Sequence, residues 1–148
     1  MKWYVPAVLA VLALMPGRAF AQEKLEIGNI PDIDDKTPTT WGMSGWEMVK
    51  VSKSDGRFTP IMRTETFDAR TVEILSRTQA PRLRAADIKT MSKGGHDYVI
   101  VRRYLLMEVK PQDAAAEGVS KEVLAKRWAS AIRNVLPKVA PLPSAFGI

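Results

Sequence analysis

The side chains in this sequence that lend themselves to chemistry are arginines. Arg70, Arg77, Arg82 and Arg84 fall within fifteen positions, Arg102 and Arg103 adjoin inside an apolar run, and Lys126, Arg127 and Arg133 follow further on. A guanidinium stays charged at physiological pH and forks parallel N–H bonds onto a carboxylate, phosphate or sulfate. Anion binding is the chemistry such a set offers. Catalysis has less to work with. The 148 residues contain one histidine, His96, and no cysteine. A histidine metal site and a cysteine nucleophile therefore lack their ligands and bases, and a Ser-His-Asp triad would rest on His96 alone. Gly94-Gly95 is too short to be a phosphate-cradling loop. Asp32, Asp34 and Asp35 suggest calcium, but the spacing lacks the glycine and distal glutamate of an EF-hand loop. Nothing in the sequence pairs two carboxylates for glycoside chemistry. The reading is of a chain that is not an enzyme, with no cofactor and no metal.

Two readings of the basic residues stay open. If their segments adjoin, Arg82, Arg84, Lys126, Arg127 and Arg133 form a surface for an anionic ligand or an acidic partner. The plainer reading pairs the arginines with Asp68, Glu73, Asp87, Glu108 and Asp113 to hold loops in place. Arg102 or Arg103, flanked by apolar residues, is then the expected buried pair, with Asp113 as its partner.

The elements that carry these residues follow from periodicity. Tyr98 to Val109 is rich in β-branched, aromatic and aliphatic residues and predicts a central strand. Alternation places Val99, Val101, Leu105, Met107 and Val109 on one face and Tyr98, Ile100, Tyr104 and Leu106 on the other. Twelve residues would span roughly 40 Å, longer than a typical strand, so a bend or bulge is expected at Arg102-Arg103. Lys110 to Gly118 reads as a linker. Ser120 is a good N-cap for a helix, with Val119 and Leu124 as its staple. At about 100° per residue, Leu124, Trp128, Ala131, Ile132, Val135 and Leu136 share one face. Glu122 and Lys126 pair at i,i+4, and Pro137 is expected to end the helix.

Upstream, Trp41 to Arg63 reads as a hairpin turning at Ser54-Asp55-Gly56, with Phe58, Ile61 and Met62 in its second arm. The Trp41–Trp46 loop could be a stacking platform. The plainer reading puts one tryptophan in the core and the other against the leader. Phe67 to Thr78 suits two readings, a helix capped by Asp68, which is preferred, or a strand in which T-V-E-I-L alternates; Gln79 to Ala86 reads as a loop, and Ile88 to Met91 as a strand turning at Gly94-Gly95. The expected fold class is α+β: a small two-layer domain, an antiparallel sheet packed by one or two helices. The order suggests a duplicated ββα unit.

The first residues combine a charged start, an apolar run from Trp3 to Met15 and A-F-A at Ala19–Ala21, the pattern of a cleaved secretory signal peptide. The thirteen-residue run is shorter than the roughly 20 residues a spanning helix needs, and the alternative reading is an uncleaved anchor, which Arg18 in the cleavage region favours. Removing residues 1–21 takes away Lys2 and Arg18 and no acid, so the net charge falls from +6 to +4. The expected organisation is signal peptide 1–21, flexible leader 22–40, α+β domain 41–137 and proline-rich tail 138–148. Within the tail, Leu142 and Phe146 are candidate anchors. The mature chain is expected to have no integral membrane segment.

Phe67 to Ile148 resembles a set of small secreted cyanobacterial proteins with no settled function. The stretches F-D-A-R-T-V-E-I-L-S-R-T-Q-A-P, V-R-R-Y-L-L-M-E-V-K-P-Q-D-A and V-L-P-K-V-A-P-L-P-S-A-F-G-I carry the resemblance. More distantly, L-M-E-V-K-P-Q-D-A followed by L-A-K-R-W-A-S-A-I-R is similar to the extracytoplasmic α/β module that precedes the membrane domain of some small-conductance mechanosensitive channels. No pore helices follow, so channel function does not carry over, and no active-site residues transfer. The resemblance implies a secreted regulatory or binding module in a periplasm or thylakoid lumen.

The function expected is that of an exported, non-enzymatic module binding a protein or an anionic envelope polymer, in the periplasm, the thylakoid lumen or outside the cell. Nucleic acid is not an expected partner. The alternative is an accessory protein docking through its tail. A histidine-independent enzyme is a third reading.

Overall fold

The computed structural model describes residues 37–78 and 81–141. The expected signal peptide, the leader as far as Lys36 with Asp32, Asp34 and Asp35, and the tail residues Leu142 and Phe146 lie outside the described residues. The fold is α+β, as expected, but its antiparallel strands form two sheets rather than one. The elements run from Thr39 to Val139, two residues beyond the expected domain boundaries at either end.

The first sheet is the hairpin of β1 (Thr39–Met43) and β2 (Trp46–Val51). It turns at Ser44-Gly45, with φ of 51° and 82°, not at Ser54-Asp55-Gly56. Positive φ at both turn residues matches the twist of the flanking strands. A bulge separates Trp41 from Gly42. There the Trp46 carbonyl oxygen lies 2.1 Å from where a Gly42 Cβ would stand, so only glycine fits. Asp55 does turn the chain, through a lone bridge to Phe58 with N···O distances of 2.8 and 3.0 Å.

Ile61 and Met62, expected in a strand, belong to helix α1 (Pro60–Arg77). Pro60 takes the N1 position, where a missing N–H costs nothing, and the Thr59 hydroxyl accepts from Met62 N at 3.3 Å. The expected cap, Asp68, is mid-helix and accepts from Trp41 Nε1 at 2.6 Å. Phe67 and Ile74 face the core, and Trp41 meets Phe67 edge-on at 6.0 Å.

The second sheet, ordered β3-β4-β5, comprises Ile88–Lys93, His96–Val101 and Tyr104–Val109. Gly94-Gly95 makes the first turn with φ of 59° and 76°, as expected. The single long strand is instead two strands, and Arg102-Arg103 is the turn between them. Reversal resets the alternation, and a register shift falls between Val99 and Ile100. Leu106 and Met107 are buried while Leu105 is exposed.

The expected linker folds as α2 (Pro111–Ala116). Gly118, at φ 64°, ends it with bonds from Val119 N to Ala114 O and from Gly118 N to Ala115 O, which satisfy two terminal carbonyls. Helix α3 (Lys121–Val139) begins at Ser120, whose hydroxyl accepts from Val123 N. Pro137 does not stop it. The proline removes one N–H in the last turn, while buried Leu136 and Ala140 keep that turn docked. The predicted face of Leu124, Trp128, Ile132, Val135 and Leu136 is buried, and α3 packs against strands of both sheets. The element order is ββα then βββαα, so the chain is not a repeated ββα.

Candidate functional site

Two clefts carry clustered charge. The first lies at the β4–β5 turn. Arg102 holds φ 55°, a conformation that disfavours a side chain, and its contacts stabilise it there. Arg102 N donates to Asp87 O at 2.6 Å, and its Nη2 donates to Pro81 O at 2.6 Å, Arg82 O at 3.3 Å and Asp87 Oδ2 at 3.2 Å. Arg84 N also donates to Asp87 Oδ2, at 2.9 Å. That backbone bond, more than the Arg102 pair, holds the Asp87 carboxyl below its usual range against the opposing effect of burial.

Arg103 projects outward beside this anchor. Its Nη2 donates to Tyr104 Oη at 3.1 Å, and its guanidinium carbon sits 5.2 Å from the ring centroid. The Arg77 guanidinium approaches the same ring at 6.0 Å. The Arg103 bond is the main reason the Tyr104 phenol ionises below its ordinary value. Arg77, Thr78, Arg102, Arg103 and Tyr104 line a cleft of about 370 Å³, with no carboxylate among its described lining residues. Arg77 pairs with exposed Glu73 at 2.8 Å and Arg102 with Asp87. Among the described residues, no carboxylate pairs with Arg103.

The residues expected to form an anionic-ligand surface are distributed differently. Arg82 Nη2 reaches Pro137 O at 3.4 Å, and half-buried Arg133 donates through Nε to Ile88 O at 2.9 Å. Both arginines tie the β3 side of the domain to α3. Lys126 pairs with Glu122 at 2.6 Å. Arg84 and Arg127 are exposed. Arg77 and Arg103 complete a cleft that sequence reading missed. Its available signal was the length of the Tyr98–Val109 run, which is better divided by a turn at Arg-Arg than bent there.

The second cleft centres on α1, the 52–58 loop and the end of β5. Beneath it is a buried ion pair. Asp113 is fully buried, and its Oδ2 receives Arg63 Nη2 at 2.5 Å. Asp113 Oδ1 receives Arg63 Nη1 at 3.2 Å and Ser52 N at 3.1 Å. Arg63 Nη1 also donates to Lys53 O at 2.6 Å. The expected partner of Asp113 was Arg102 or Arg103; one turn into α1, Arg63 takes that role, because Pro60 starts the helix where a strand was expected.

Above this pair, Lys110 Nζ bridges Asp55 Oδ2 at 3.0 Å and Glu108 Oε2 at 2.9 Å. Glu108 Oε1 meets His96 Nδ1 at 2.7 Å, and Gln112 Nε2 donates to Asp55 Oδ1 at 3.3 Å. The Lys110 bond lowers the Asp55 pKa. For Glu108, burial acts upward, but the Lys110 and His96 bonds together outweigh it and the net direction is down. Burial likewise disfavours the Lys110 charge, and its two carboxylates reverse that, so its pKa rises.

Both clefts fall within the part of the chain that has recognisable kin. A family model described as a domain of unknown function (DUF8459) matches residues 43–138. The chain belongs to the DUF8459 family. The match runs from the end of β1 to the last turn of α3, so the DUF8459 domain includes Arg63, Asp113 and the arginines around Tyr104. No curated protein and no solved structure matches the chain.

Proposed function

We propose that the chain is an exported, non-enzymatic binding module that takes an anionic envelope component at the Arg77–Arg103–Tyr104 cleft. The observation that carries the reading is Arg103: an exposed guanidinium held by Tyr104 in a cleft where, among the described residues, no carboxylate pairs with it or lines the wall. Such a group gains an ionic partner on binding without breaking an internal pair. The charged start, apolar run and A-F-A of residues 1–21 support export, and the resemblance to small secreted cyanobacterial proteins supports a periplasm or thylakoid lumen. A single histidine and the lack of cysteine support a non-catalytic role.

Dextran sulfate is a suitable polymeric probe, with inorganic sulfate as its monomeric control. The chain from Gln22 to Ile148 is expected to bind the polymer in low salt and release it as salt screens the contact. Arg77→Gln with Arg103→Gln is expected to weaken binding at least about tenfold, the loss of two charge-assisted contacts. Lys50→Gln with Lys53→Gln removes the same charge elsewhere. An equal loss in that control would reduce the effect to net charge and overturn the reading.

A further inference from the structure

We infer that the second cleft is a separate site for a small amphipathic monocarboxylate, held by Arg70 against Phe58 and Phe67. The argument starts from which charges there are already matched. Both oxygens of Asp55 and both of Glu108 have partners, from Lys110, Gln112 and His96. Arg63 is paired with Asp113. A cationic ligand would have to share these oxygens with the protein groups already on them.

Arg70 differs. It lines the same cavity, is half-buried, and donates only to the Leu106 carbonyl, at 3.3 Å. Among the described residues no carboxylate pairs with it. A guanidinium withdrawn from water and joined only to a neutral acceptor favours an anion. With Arg63 matched by Asp113, two acids, Asp55 and Glu108, share Lys110, and Arg70 is the remaining base; beside those two carboxylates a monoanion meets less repulsion than a dianion such as phosphate. The rest of the lining is Thr66 and two phenylalanines: Phe67 is buried, and Phe58 is 43% exposed at the mouth. The cavity holds about 200 Å³, below the roughly 300–1,000 Å³ of sites for drug-sized ligands. A short aliphatic or single-ring carboxylate fits that volume, with its planar head on the planar guanidinium and its body against the phenylalanines.

Benzoate tests this by two-dimensional NMR titration of the whole chain. Saturable shifts are expected at Thr66, Phe67, Arg70 and Glu108, with a Kd of about 1 mM for so small a ligand. Benzamidine, its cationic counterpart, is expected to leave those signals in place. Arg70→Gln should weaken benzoate at least about tenfold, and Arg70→Lys less than Arg70→Gln. Phe58→Ala, at an exposed position where folding is safe, should weaken it severalfold. The inference is overturned if benzoate does not saturate, if benzamidine binds equally, or if Arg70→Gln binds unchanged. Shifts centred on Arg77, Arg103 and Tyr104 would also overturn it and would place the carboxylate at the other cleft.

Discussion

The two clefts differ in how their charges are matched. Around Lys110 each acid contacts a base, Asp55 and Glu108 sharing the lysine, and the set is cross-linked into the backbone through Ser52, Lys53 and Ser54. Around Tyr104 the arginines outnumber the acids, and Arg103 leans on an aromatic ring instead. Matched charge in a half-buried setting secures one arrangement of loops, because removing any member leaves another unpaired. Unmatched exposed charge contributes little to folding and stays available to a partner. Ion pairs and arginines occur in both clefts; Arg103 and Arg70, which have no carboxylate partner among the described residues, are where the two proposals place a ligand.

The widest contrast lies beneath the Lys110 cleft. Asp113→Ala strands Arg63 and should destabilise the fold by about 3–5 kcal/mol in urea unfolding. Arg63→Met with Asp113→Leu should recover most of that loss, whereas a second loss of equal size would mean the pair contributes beyond charge balance. Trp128→Ala, in the core, should cost a comparable ~3–5 kcal/mol and serves as the apolar benchmark. Next is Gly42→Ala, which drives a methyl into the Trp46 carbonyl and should cost about 1–3 kcal/mol.

Acid separates the clefts more finely. Asp55 and Glu108 titrate below their ordinary values in the fold. Their contribution is present above the unfolded pKa of about 4 and is lost as pH falls through the depressed values. Lys110 has the opposite sign: its contribution is present below about pH 10.4 and is lost as pH rises through its elevated value. Thermal unfolding from about pH 6 down to pH 3 should show a fall in stability that Lys110→Met reduces. At the Tyr104 cleft, ultraviolet titration should find one phenol ionising below about pH 10, absent in Tyr104→Phe and returned upward by Arg103→Gln. The smallest effect belongs to Glu122→Ala. Its pair with Lys126 is solvent-exposed and should be worth less than about 0.5 kcal/mol.

The most legible features in the sequence were those set by adjacent residues. Ser120 caps α3, the 3.6-residue stripe from Leu124 to Leu136 is buried, and Gly94-Gly95 turns the chain. The misreadings came from residues that suit more than one local structure. Pro60 excludes a central strand and equally starts a helix, and the hydroxyl at Thr59 decided between them. Apolar content made Tyr98–Val109 one strand, although an Arg-Arg pair there can turn once tertiary contacts hold Arg102 at positive φ. Arg63 and Asp113 are 50 positions apart, and no local pattern announces such a pair. The arginines were visible as a class; which of them would remain unmatched depended on where Asp87 and Glu73 came to lie.

Helix α3 packs on both sheets and follows every strand among the described residues. During synthesis each hairpin can therefore close before either sheet has the cover that α3 provides. Helix α1 covers part of β1, β2 and β5, but the apolar surface that α3 covers stays open to chaperones until that later helix docks.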